Sequence, residues 1–205
     1  MDRLDRLLTA AGPLLRRVDD TLAAAGAPPE HPVWAALRRV RLLPGEATRA
    51  VAALRPEELA EAAGELRADA RACAVLAVSL PAPGEWTGAA ADAYDAARQR
   101  AAAHLSGEPD GLEERLQASA DLAEALVAWM RSARDAVAGT LAEVLTSTEA
   151  VTLAGSTVDL AATREQRAAA DIAARVLWAV AEGCDTGEDL LHRSASLAEP
   201  MATLR

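Results

Sequence analysis

Two stretches of the chain repeat an apolar residue every seven positions, and this spacing restricts the possible folds more than any other feature. Along residues 56–80 the series is Leu59, Leu66, Cys73 and Leu80, with Ala62 and Leu76 at the complementary positions. Along 112–146 it is Leu116, Ala123, Met130, Val137 and Val144, flanked by Leu126, Val127, Ala133 and Leu141. A seven-residue spacing places all members on one stripe of an α-helix, turned toward another helix at a shallow crossing angle. A strand has a period of two, and no run here alternates apolar and polar residues with β-branched enrichment. The expected fold class is therefore all-α: an elongated antiparallel helical hairpin or bundle with additional N- and C-terminal helices.

Prolines and glycines punctuate the pattern. The first helix is expected over 2–25, with Pro13 a possible point of kinking, and AGAPPEHP at 25–32 ends it. A short helix follows from Val33 to about Leu43, and LPGEAT at 43–48 reads as an interruption. Pro56 is well placed as a first-turn residue for a helix to about Leu80. PAPGEW forces a turn, a helix runs from Gly88 to about Leu105, SGEPDG at 106–111 ends or bends it, and the longest helix covers about 112–146. TSTEAVTLAGST at 146–157 reads either as a loop or as a frayed continuation of that helix. A further helix spans 157–182, GCDTG at 183–187 ends it, and a short piece from Glu188 to Leu197 leads to a polar tail. The expected segments are 1–55, an N-terminal helical segment; 56–146, the hairpin; and 147–205, a C-terminal helix and tail.

Composition bears on partners. The chain has 31 acidic and 21 basic side chains, a formal charge of −10, and all the basic ones are Arg. A duplex-binding protein clusters its cations to neutralise phosphates; here they are dispersed among more numerous carboxylates, so nucleic acid is not an expected partner. The lack of Lys, Asn and Phe reads as codon bias of a high-GC bacterial genome. No stretch approaches the roughly 18 charge-free apolar residues of a membrane-spanning helix. MDRLDRLL lacks the basic-then-apolar order of a signal peptide, so synthesis in the cytoplasm without a cleavable signal is expected. Cys73 and Cys184 lie far apart with no CxxC spacing, which indicates neither a disulfide framework nor a zinc site.

The most specific local feature is EWTGAAADAYDAAR at 85–98, between two helices with apolar seams. An indole at the tip of a helical hairpin can wedge between the helices and fix their register. Thr87 is a candidate N-cap, and Gly88 leaves room for chain and indole to lie close together. Helix, Trp-x-Gly turn (Trp86, Thr87, Gly88) and a helix opening with small residues resemble the WXG-motif superfamily of type VII secretion substrates and their secretion-linked relatives. The resemblance covers about 56–146. It implies a hairpin that dimerises with itself or a paralogous partner into a four-helix bundle, and possible secretion by type VII export. In that family a Tyr-x-x-x-Asp/Glu signal after the second helix completes the export mark. The sole tyrosine here, Tyr94, lies just after the turn with Arg98 four residues on, so that second half is missing. EHPVWAALRRV at 30–40 also puts a Trp after prolines at a helix start, but Ala36 stands where the glycine would be.

Other candidate sites carry less. CDTGEDLLH at 184–192 gathers Cys184, Asp185, Glu188, Asp189 and His192, but a di-metal bundle needs inward carboxylates from several helices, and a solvated acidic face is the simpler account. His31 and His104 have no neighbouring nucleophile in sequence, and no glycine-rich phosphate loop exists. No catalytic residue, metal or cofactor is expected. Trp129, Met130 and Trp178 read as core. The function expected is that of a non-enzymatic helical interaction protein with a helical partner or as a homodimer, its turn built by Trp86 and Gly88 and its seam by Leu59, Leu66, Leu116, Leu126, Met130 and Val137. The alternatives are a cytoplasmic adaptor or chaperone for a secreted effector, and a self-contained helical scaffold or ligand-sensing bundle.

Overall fold

The computed structural model describes residues 2–107, 109, 111–155 and 162–195. Among them are eight α-helices and no strand: α1 (Arg3–Ala25), α2 (Val33–Val40), α3 (Pro44–Ala52), α4 (Pro56–Ser79), α5 (Ala89–Leu105), α6 (Leu112–Leu145), α7 (Thr148–Gly155) and α8 (Ala162–Ala195). The fold is all-α, and none of these helices is long and apolar enough to cross a membrane.

Helix α1 starts on a reciprocal cap. The Asp5 amide donates to the Asp2 carboxylate at 3.0 Å, and the Asp2 amide donates to the Asp5 carboxylate at 3.3 Å; two otherwise orphaned donors are satisfied. The helix runs on through Pro13, which lies on its exposed face, and ends at Gly26, whose φ of +68° suits glycine.

Three expectations about breaks are corrected. LPGEAT is a helix start: Pro44 opens α3, and the Gly45 amide donates to Asp19 of α1 at 3.2 Å. A Cβ on Gly45 would sit 2.4 Å from the Asp19 carboxylate, so only glycine allows that approach. The segment after 146 is helical too, because the Ser147 hydroxyl accepts the Ala150 amide at 3.2 Å and caps α7, whose Leu153 is buried. Finally, GCDTG does not end a helix; α8 passes through it. Trp129 of α6 lies over Gly187 and donates to the Gly183 carbonyl there. The expected helix start near Val158 and end at Leu197 lie outside the described residues.

The chain forms two compact units, which divide differently from the breaks read in sequence: Met1–Arg55 with Ala128–Glu188, and Pro56–Val127 with Asp189–Arg205. In the first unit Leu4, Leu15 and Val18 of α1, Val33 of α2, Val137, Leu141 and Val144 of α6, Leu153 of α7, and Ile172, Val176 and Leu177 of α8 are all buried. Each such side chain contributes about 1.5–3 kcal/mol relative to exposure.

The second unit is built differently. Besides Pro56 and Gly111, its buried positions are Ala63, Ala70 and Ala77 on α4, Ala91 on α5, Ala120, Ala123 and Val127 on α6, and Leu190 on α8. The α4 stripe is thus displaced from the one read in sequence: Leu59, Leu66, Cys73 and Leu80 are half-buried, as is Ala62, and Leu76 is exposed. Steps of four and three residues link 59, 63, 66, 70, 73, 77 and 80, so leucines and alanines share one seam, and the alanines take its centre. Arg67 of α4 forms ion pairs with Glu124 and, at 2.8 Å, Asp121 of α6.

Candidate functional site

The turn between α4 and α5 is held by two aromatic residues. Tyr94 donates its hydroxyl to the Pro81 carbonyl at 2.9 Å, which ties the first turns of α5 back to the end of α4. The ring of Trp86 lies 5.8 Å from that of Tyr94, tilted by 60°. Trp86 is nevertheless 65% exposed. The expected wedge is therefore corrected: the indole lies outside the seam, whose buried positions on α4 and α5 are alanines.

Gly88 is the N-cap of α5 with φ +93°, and the Thr87 side chain makes no capping bond. A Cβ on Gly88 would meet nothing within 4 Å. Glycine is required here by the backbone angle and not by an approaching indole. Beside the turn, α4 exposes Val75, Leu76 and Val78, the last at 86%. Of the expected seam residues, Leu59, Leu66, Leu116, Leu126 and Met130 are half-buried, and Val137 is buried in the first unit.

The indole that does join two helices is Trp129, in the first unit. Its Nε1–H donates to the Gly183 carbonyl of α8 at 2.7 Å, and its ring lies where a Gly187 side chain would be, 2.7 Å from the ideal Cβ position. Gly187 thus gives the ring its room, while Gly183, one helical turn earlier, holds it through the carbonyl; a Cβ on Gly183 would meet Ala133 of α6 at 3.5 Å and not the indole. A glycine inside a helix costs about 1 kcal/mol relative to alanine; burying an indole face offsets that for the pair, and the helix continues. Trp178, also expected in the core, is 40% exposed. Trp34 is half-buried and donates to the Pro28 carbonyl at 2.9 Å.

Sequence reasoning missed Arg134. It stands on the α6 seam four residues after Met130 and three before Val137, yet it is only 7% exposed. Its Nε donates to Asp2 at 2.9 Å, and Nη2 donates to Asp2 and, at 3.3 Å, to Asp5. Nη1 donates to the carbonyls of Ala52, Leu54 (3.0 Å) and Val51 (3.4 Å) at the end of α3. One guanidinium therefore joins the start of α1, the end of α3 and the middle of α6. The Asp5 amide, and after it Arg134, hold the Asp2 carboxyl below the usual range. Asp19 is the opposite case: burial pushes its carboxyl up, against the Gly45 hydrogen bond. An arginine in an apolar heptad was the available signal.

His31 also has a structural part. Its Nδ1 accepts the Val33 amide at 3.1 Å, which places the ring proton on Nε2, 3.0 Å from Asp171. Among the described residues no group of three or more His, Cys, Asp and Glu side chains is arranged to hold a metal. No family model, curated protein or solved structure matches the chain.

Proposed function

We propose that the protein is a non-enzymatic helical interaction protein, similar to WXG-type secretion substrates and their partners, whose α4–α5 hairpin associates with the helices of another chain. One observation carries this reading. The second unit leaves Val75, Leu76, Val78 and Trp86 exposed around a single turn while its own centre is alanine. Exposed apolar clusters of this kind mark contact surfaces, and Trp is favoured at the anchors of such contacts. The Trp-x-Gly turn at 86–88 supports the WXG class, and the arginine at 98 in place of an acidic residue assigns the completing mark to a partner chain or makes this a retained adaptor.

The test is sedimentation of the purified chain over a wide concentration range, with and without a stoichiometric helical partner from the producing cell. Val75→Glu with Val78→Glu should abolish association and leave helix content unchanged, since both positions are exposed. A chain that stays monomeric and brings no such partner would overturn the proposal. Fractionation of cells and medium then separates an exported substrate from an adaptor that stays inside.

A further inference from the structure

The first unit contains a pocket of about 210 Å³ between α2, α3, α6 and α8, open to solvent on the side of Leu42, Ala50 and Cys184, all three of which are exposed. Val40 and Ala50 come from α2 and α3, Trp129 and Ala133 from α6, and Ala179 and Cys184 from α8. Three polar groups at the lining are already used. The Trp129 N–H is bound to Gly183, and the carbonyls of Val51 and Leu54, two further lining residues, accept from Arg134. What remains is hydrocarbon, an indole face and the Cys184 thiol, which is exposed. Next to two lining residues in sequence, Arg39 and Asp185 form an ion pair that links α2 to α8.

Size and lining together define the ligand. An apolar cavity of about 150 Å³ stays dry and takes benzene, whereas drug-sized ligands occupy about 300–1,000 Å³. A space between these limits suits a benzene ring with a short alkyl chain. A carboxylate or ammonium group would find no partner inside and would keep its full desolvation penalty. We infer that this cavity is a binding site for a small uncharged alkyl-aromatic compound, stacked on Trp129 with Cys184 at its mouth. This site is independent of the hairpin and of the reading proposed for it.

The cysteine supplies the test. In the full chain carrying Cys73→Ala, Cys184 is the one remaining thiol, and its alkylation by iodoacetamide is timed with and without n-butylbenzene. At a ligand concentration four times its Kd the rate should fall about fivefold, as mass action requires. Octanoate, with its charged end, should leave it unchanged. Ala179→Leu and Ala50→Leu, which fill the cavity from two different helices, should each restore the unprotected rate. An unchanged rate with n-butylbenzene at its solubility limit, equal protection by octanoate, or protection that survives both fillings would overturn the inference. If both filled variants lose their helical signal, the methyl resonances of Ala133, Ala179 and Val180 in the unaltered chain decide: they should shift on addition of n-butylbenzene, and shifts confined to other residues would overturn it equally.

Discussion

Trp129 and Trp86 sit in helical surroundings of opposite kinds. Trp129 meets a helix that carries a glycine, Gly187, where a side chain would strike it, so its ring is half-buried and its N–H is bonded to the Gly183 carbonyl. Trp86 stays 65% exposed, with Tyr94 as its ring contact among the described residues. The two units differ in the same direction: the first buries leucine, valine and isoleucine among its alanines, around a buried arginine, whereas the second buries alanine with, besides Pro56, only Val127 and Leu190 as larger apolar side chains. Trp129 joins its two helices where the opposite helix has lost a side chain, at Gly187, and offers a carbonyl, at Gly183. The glycine in the turn beside Trp86 does not do this.

This contrast can be broken most forcefully at Arg134. Arg134→Met keeps the volume but leaves the α3 carbonyls without their donor, while Asp2 and Asp5 stay half in water; with about 1.5–3 kcal/mol for a hydrogen bond to a charged group, the loss is on the order of 3 kcal/mol. Urea unfolding of the variant should show a loss of that size, and a loss under about 1 kcal/mol would mean that water replaces the guanidinium freely.

The two indoles come next. Trp129→Ala should cost about 3 kcal/mol, the low end for a buried aromatic because the residue is half-buried. Trp86→Ala should cost less than about 1 kcal/mol, the value of one exposed ring contact. Equal thermal shifts for the two variants would contradict the packing described. A smaller difference is expected between glycines. Gly187→Ala forces a methyl against the Trp129 ring and should destabilise by about 1–2 kcal/mol after the gain in helix propensity. Gly64→Ala in α4 meets nothing within 4 Å and should stabilise by up to about 1 kcal/mol.

Acid should separate two carboxyls within the first unit. The Asp2 carboxyl is held low, so its contribution is present at neutral pH and is lost as pH falls through the carboxylate range. The Asp19 carboxyl is pushed up, so the folded chain takes up its proton more readily, and acidification favours folding through this group. Asp2→Asn should therefore flatten the acid loss of stability, and Asp19→Asn should steepen it. Thermal melts at pH 7 and pH 4 would show the reverse order if either sign were wrong.

The helical class was legible in the sequence because seven-residue spacing is a property of the chain itself. The breaks were less so. At LPGEAT the same Pro-Gly pair that stops one helix starts the next, and the deciding contact, Gly45 with Asp19, is made by residues 26 positions apart. At 183–187 two glycines read as an ending when the residue that bonds to the first and lies over the second, Trp129, is 54 positions before the first. The turn was located correctly between α4 and α5, but the direction of Trp86 depends on whether the seam has an opening, which spacing does not reveal. Arg134 was the reverse case: the heptad on which it stands was recognised, and the charge within it was passed over.

The alanines of α4 have one more effect. Ala63, Ala70 and Ala77 are identical teeth at identical intervals, so sliding α4 by two turns against its neighbour would mesh the same shapes again, and apolar packing alone barely tells one setting from the next. Arg67, gripping Asp121 and Glu124, is not repeated along the rod and acts as the detent that stops the slide. An exposed ion pair contributes little to how firmly this hairpin holds together, yet it selects the notch in which it rests.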